Sequence, residues 1–323
     1  TGVETSHAGC RAGVLMRRTV GEGEFSGRLA WALMTDERSR EEPTNTDERS
    51  REESTNTDER SREESTSTDE RSREESTSTD PLAPLVDLPG VVTASDEARD
   101  ALGRAHRHRF NLRGWPQTAA EAALRSARAS AVLDGGAIQL AEDGEPDPVT
   151  AGAIRVAEAL EGGTTALVGV WQRAPMQALA RLHALAAADL TDDEHLGRPR
   201  TDPDVGRRLE LLTEIITGGS RVPAPILAAV AHGELLTLAP FGTADGVVAR
   251  AVSRLVTIAS GLDPHGLGVP EVHWMRKSGD YRAAARGFAS GTPDGLTAWL
   301  LLSCQGLHAG AREALQIAQA AAG

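Results

Sequence analysis

An all-α fold is what the sequence predicts, and three observations predict it. Hydrophobic residues make up 40% of the 323 positions and aromatic ones only 3%. A core built from Ala, Leu and Val suits closely packed helices better than a sheet. Ala-rich segments recur from residue 118 onward, several opening on a proline at the first helical position, where its missing N–H costs nothing. No alternation of strand and helix patterns runs through this region, which argues against a parallel α/β sheet.

Three segments follow in order. Residues 1–34 show no clean periodicity and are expected to be a poorly ordered extension. Residues 35–80 repeat with a period of eleven: Thr-Asp-Glu-Arg-Ser-Arg-Glu-Glu begins at Thr35, Thr46, Thr57 and Thr68, and a fifth copy stops at Asp80. An eleven-residue period winds a right-handed coiled coil only where apolar residues recur in register. This repeat has no aliphatic or aromatic residue, so it cannot bury enough surface to offset its chain entropy, and a disordered acidic tract is predicted. The tract holds 17 Asp or Glu and 8 Arg, a net of −9, which leaves −4 of the chain's −13 elsewhere.

Residues 81–323 are predicted to be helical. The segment 118–133 closes on Gly135-Gly136, a natural left-handed stop. Helices are then expected over 151–160, 175–188, 205–217, 223–238, 246–260, 281–288, 293–304 and 309–321.

Composition also bears on function classes. Nothing outside the tract forms the basic stripe that nucleic acid requires. No apolar run approaches the ~18–20 residues needed to span a bilayer. Arg11, Arg17 and Arg18 flank only a short apolar run, a poor secretory signal. Cys10 and Cys304 make neither a metal-type spacing nor a disulfide framework. The expectations are a cytoplasmic location and neither a nucleic-acid nor a membrane partner.

The chemistry-bearing segment runs from His232 to Arg250: a helix, a loop of small residues, then a second helix. A Gly-containing loop feeding a helix amino terminus aims several backbone N–H groups at one point, which attracts phosphate. From Ala239 the chain reads A-P-F-G-T-A-D-G-V-V-A-R, ending at Arg250. This resembles, without a gap, the H-P-F-x-[DE]-G-N-G-R-x-x-R motif of the Fic family, with Pro240, Phe241, Gly246 and Arg250 matching. The flanking segments resemble that family's helices over roughly residues 81–323. Ser130-Ala-Val-Leu-Asp134-Gly135 is similar to the family's inhibitory-helix pattern, [ST]-x-x-x-[ED]-[GN]. That resemblance makes Arg250 the partner of Asp134. A carboxylate at the end of its own helix faces an unfavourable dipole and wants such a cation.

The resemblance implies an AMP transferase that uses ATP and Mg²⁺, but four positions depart from it. Ala239 stands where the family has its general base, and a methyl group cannot accept a proton; losing such a base costs about 10²–10⁴ in rate. Thr243 replaces the acidic Mg²⁺ ligand, a poor exchange for a hard dication. Val247 deletes one phosphate clamp. Asp245 replaces Asn, and a carboxylate beside the anion site would repel phosphate by about 4 kcal/mol at 4 Å and a dielectric of ~20. Phe241, Gly242, Thr243, Asp245, Gly246 and Arg250 therefore form a degenerate phosphate loop, with no catalytic residue intact and no metal ligand set.

The remaining polar residues are read structurally. His106 and His108 are read as a solvated helix face ahead of a metal or phosphate site. His183 and His195 are isolated, and His232 is an interhelical histidine. Trp115 and Trp299 are expected to be core anchors. The leading function is a degenerate Fic-like protein acting by binding or regulation, with a protein as the expected partner. A nucleotidyltransferase of altered chemistry, with His232 or Asp245 as base, is the alternative. An oxidoreductase lacks the strand–GxGxxG–helix fingerprint.

Overall fold

A computed structural model describes residues 80–137, 144–161 and 166–322. The expectations for 1–34 and for all of 35–80 but its last residue lie outside the described residues; Asp80 itself is ordered, its carboxylate accepting the Leu82 and Arg221 N–H groups at 2.9 and 2.7 Å. Among those described there is no strand, and the fold is all-α. The described residues form eleven α-helices in turn: α1 (Val91–His106), α2 (Asn111–Leu133), α3 (Pro148–Leu160), α4 (Ala166–Arg173), α5 (Pro175–Ala187), α6 (Pro203–Glu214), α7 (Ala224–Leu238), α8 (Asp245–Ala259), α9 (Pro270–Arg276), α10 (Ser278–Ser290) and α11 (Pro293–Ala322). A 3₁₀ turn (Ala83–Asp87) precedes α1, and a π turn (Ile215–Gly219) extends α6.

Local chemistry sets many of these ends. Pro148, Pro175, Pro203, Pro225, Pro270 and Pro293 stand at helix starts. The carboxylates of Asp147 and Asp202 accept first-turn N–H groups of α3 and α6. Gly135, at φ 90°, follows the last turn of α2 and provides the expected stop.

Two expectations are corrected. α2 starts at Asn111, not 118, and runs through Pro116. Its first turns leave Leu112 and Arg113 exposed, with little apolar surface to bury, and buried Asn111 ties them back by donating to the Ala105 carbonyl at 2.9 Å. The helices expected over 293–304 and 309–321 are one continuous α11. Gly306 and Gly310, which look like a break, are there for close packing. A Cβ on Gly306 would run into the Trp274 indole, and one on Gly310 would sit 2.6 Å from the Pro270 nitrogen.

α7 is apolar on every face and central, as such a helix must be. One core, of residues such as Leu179, Leu182, Leu209, Leu235, Val252 and Leu255, lies to one side of it. A second core lies to the other, with Ile226, Trp274, Tyr281, Phe288 and Trp299. α8 packs along α7, and α2 crosses near the start of α8. This arrangement brings the end of α2 onto the loop between α7 and α8.

Candidate functional site: the loop between two central helices

The loop is tight because three of its residues are left-handed: Ala239 (φ 47°), Gly242 (φ 77°) and Ala244 (φ 53°). Alanine in this region costs roughly 1–2 kcal/mol, so other contacts must hold it. Arg200 supplies several of them. Its backbone N–H donates to the Pro240 carbonyl at 2.8 Å, while its guanidinium reaches the carbonyls of Leu238 and Ala239 at 3.0 and 3.1 Å. A cation there also answers the negative end of α7. Phe241 stacks on His183, with ring centroids 4.1 Å apart and 5° between the planes. His183 Nδ1 accepts the Gly197 N–H at 2.9 Å. Burial pushes the His183 imidazole below its ordinary value, and the Thr243 backbone partly opposes this.

Two carboxylates occupy the loop's anion-attracting features. Asp245 turns back on its own loop and accepts the Phe241 N–H at 2.9 Å. Burial raises its carboxyl above the ordinary range, opposed by the backbone N–H groups of Phe241 and Gly242 and by Arg200. Asp134, from the end of α2, lies against Gly246 at the amino end of α8, where any Cβ would collide with its carboxylate. A larger residue there would have to push the Asp134 carboxylate away. The negative charge that the dipole of α2 opposes is thereby favoured by the dipole of α8.

Arg250 completes the arrangement. It is 1% exposed, and its Nη2 lies 3.0 Å from Asp134 Oδ1, whose side chain is 23% exposed. Its Nε donates to Ser130 Oγ at 2.8 Å, its Nη2 to the Ser130 carbonyl at 3.0 Å and its Nη1 to the Tyr281 hydroxyl at 3.4 Å. Burial works against the charge, but Tyr281 and Asp134 outweigh it and hold the guanidinium above its ordinary value. Burial pushes the Tyr281 hydroxyl up to about 12, against the pull of Arg250. The same hydroxyl meets His232 Nε2 at 2.7 Å. His232 is fully buried, and that burial, with the charge of Arg250, drives its imidazole well below 6.5.

The structure thus brings Ser130 and Asp134 to Gly246 and Arg250; Gly135 follows Asp134 in the chain, and Phe241, Gly242, Thr243 and Asp245 lie in the same loop, with Ala239 at its entry. Val247 faces the core at 3% exposure, so the methyl groups at this clamp position are absorbed by packing. Asp245, read from sequence as facing an incoming anion, faces its own backbone instead. Arg200, Tyr281 and His183 hold the site and were not singled out for it. The Arg200 contact spans 38 residues, with no local signal to mark it.

Elsewhere, His106 is not on a solvated face: its Nε2 meets Asp263 Oδ1 at 2.7 Å, with the side chains 17% and 5% exposed. His108 Nδ1 accepts the Phe110 N–H at 3.4 Å. Trp299 is a core anchor, donating to the Ala229 carbonyl at 2.8 Å. Trp115 is half-buried and stacks on His265. Among the described residues no helix is long and apolar enough to cross a membrane, and no group of three or more His, Cys, Asp or Glu is placed to hold a metal ion.

No protein-family model matches the chain, and no curated protein sequence does. Among solved structures, a Fic family protein from Desulfovibrio desulfuricans is similar at a TM-score of 0.52 and 17% identity, over 71% of this chain and 74% of that one. With the helix–loop–helix and the α2 carboxylate already in place, this likeness identifies the architecture: the chain has the helical fold of a Fic family protein.

Proposed function

We propose that this chain is a degenerate Fic-like protein that performs no ordinary nucleotidyl transfer and acts by binding, as a regulatory component or as partner to another protein. One observation carries the reading. The groups that would receive phosphate are already taken by the chain's own carboxylates, Asp245 on the Phe241 N–H and Asp134 on Arg250 and against Gly246. The residues present do not fit a magnesium nucleotide. Thr243 offers no charge to the metal, Ala239 no base, and Asp134 and Asp245 add negative charge where the phosphates would lie.

The altered-chemistry alternative finds little support. His232 is fully buried on the Tyr281 hydroxyl, and Asp245 is committed to its loop. No strand stands among the described residues to build a dinucleotide site.

Incubation with α-labelled ATP and Mg²⁺ tests the proposal. No covalent label should appear on the protein itself or on lysate proteins. Ala239→His alone should not restore labelling while Thr243, Asp245 and Val247 remain. Clear labelling by the unaltered protein would overturn the reading.

A further inference from the structure

A second cluster of imidazoles lies away from the motif loop, between the end of α1, the start of α2 and the turn that follows α8. It lines an open depression of about 400 Å³, together with Arg107, Leu112 and Pro264. Asp263 is its foundation. One oxygen of the carboxylate accepts the Leu267 N–H at 2.9 Å and meets His106 Nε2 at 2.7 Å; the other accepts the Gly268 N–H at 2.8 Å. Because each Asp263 oxygen already accepts a backbone N–H, the His106 Nε2 facing them is the donor, and Nδ1 is the nitrogen left for a ligand.

The second ring is His265. Its centroid lies 5.5 Å from that of His106, with 51° between the planes, and its face rests on Trp115 at 4.1 Å and 5°. Two imidazoles sharing one tetrahedral ion, at about 2.0–2.1 Å per nitrogen, place their ring centroids roughly 5–6 Å apart. The observed spacing falls within that range. A carboxylate holding the far nitrogen of an imidazole is also the arrangement that fixes ring and tautomer in metal-bound histidines.

We propose that His106 and His265 form a two-histidine site for a divalent transition metal of imidazole preference, with Asp263 orienting His106 and water completing the coordination. Asp263 is not a direct ligand, because both its oxygens are already engaged. That accounts for the site falling short of three protein ligands. Hard cations such as Mg²⁺ and Ca²⁺ prefer oxygen and should not compete. The exposed Arg107 on the rim works against binding, and the Asp263 charge offsets it.

The full chain, titrated with Ni²⁺ at neutral pH, tests this. Trp115 lies against a proposed ligand, so a paramagnetic ion should quench its fluorescence saturably, and excess Mg²⁺ should not reverse the effect. Calorimetry of the same titration should give one site. His265→Gln lies on a surface turn and should leave the fold intact while weakening half-saturation at least about tenfold. His106→Gln should do the same, and Trp115→Phe should keep the calorimetric binding while losing most of the quench. Quenching that does not saturate, or unchanged half-saturation in His265→Gln, overturns the proposal.

Discussion

Arg250 shows how much rests on one side chain in this fold. A guanidinium at 1% exposure persists only because Asp134, Ser130 and Tyr281 together answer its charge and its N–H groups. Arg250→Ala should therefore cost about 3–5 kcal/mol, leaving the Asp134 carboxylate and both acceptors of Ser130 without their partner. Asp134→Ala should cost less, about 1–3 kcal/mol, since Ser130 and Tyr281 remain and the carboxylate is partly exposed. The double variant should cost clearly less than the sum of the two. A double-mutant cycle by urea denaturation measures this, and additivity within about 0.5 kcal/mol would sink the claim of coupling. Asp134 and Arg250 were legible in the sequence because each sits in a recognisable pattern. Tyr281 and Arg200 were not, since a long-range partner has no signature of its own. Asp245 was visible, but the direction of its carboxylate depends on a left-handed loop that residue types alone do not dictate.

Among the elements, α11 separates two meanings of glycine. If Gly310 were a flexible break in a helix, Gly310→Ala would stabilise by about 1 kcal/mol. If it is a contact point, the new methyl meets the backbone at Pro270, with its nitrogen at 2.6 Å, and forces α9 away. The variant should then lose about 1–3 kcal/mol. The sign of the change in a denaturant melt decides between the two. The same ambiguity explains what was readable. Proline starts, aspartate caps and the Gly135 stop act locally and were legible. α4 and α9 were missed because they are short, and only neighbours give them a reason to be helical; α1 was missed because its inward stripe is mostly alanine and serine, a weak apolar signal.

Across the whole molecule, buried imidazoles set the response to acid. His232 lies well below 6.5, and His183, His265 and His273 lie below it too, in each case mainly through burial. As pH falls through about 6.5 the unfolded chain takes up protons that the folded one refuses, so stability must decline from there downward. Asp245 has the opposite sign: its raised carboxyl lets the folded state bind a proton first, a small gain confined to pH near the carboxylate range. Asp263, held low, contributes above the ordinary carboxylate value and loses that contribution only as pH falls towards its own folded value. Urea midpoints between pH 7 and 5 should fall steadily. His232→Gln should flatten that slope, by at most ~1.4 kcal/mol per pH unit, whatever it does to the midpoint at pH 7. An identical slope in the variant would remove His232 from the account.

The pairing of α1 with α11 has a consequence for how the chain is made. The inward face of α1, with Ala98, Ala101 and Leu102, finds its cover in Cys304, Leu307 and Ala311. Roughly 200 residues separate the two, so at about 5–20 residues per second α1 leaves the ribosome some 10–40 s before its partner exists. Throughout that interval its apolar stripe faces the surroundings. Folding of this domain cannot be completed segment by segment from the amino end; the first helix waits for the last.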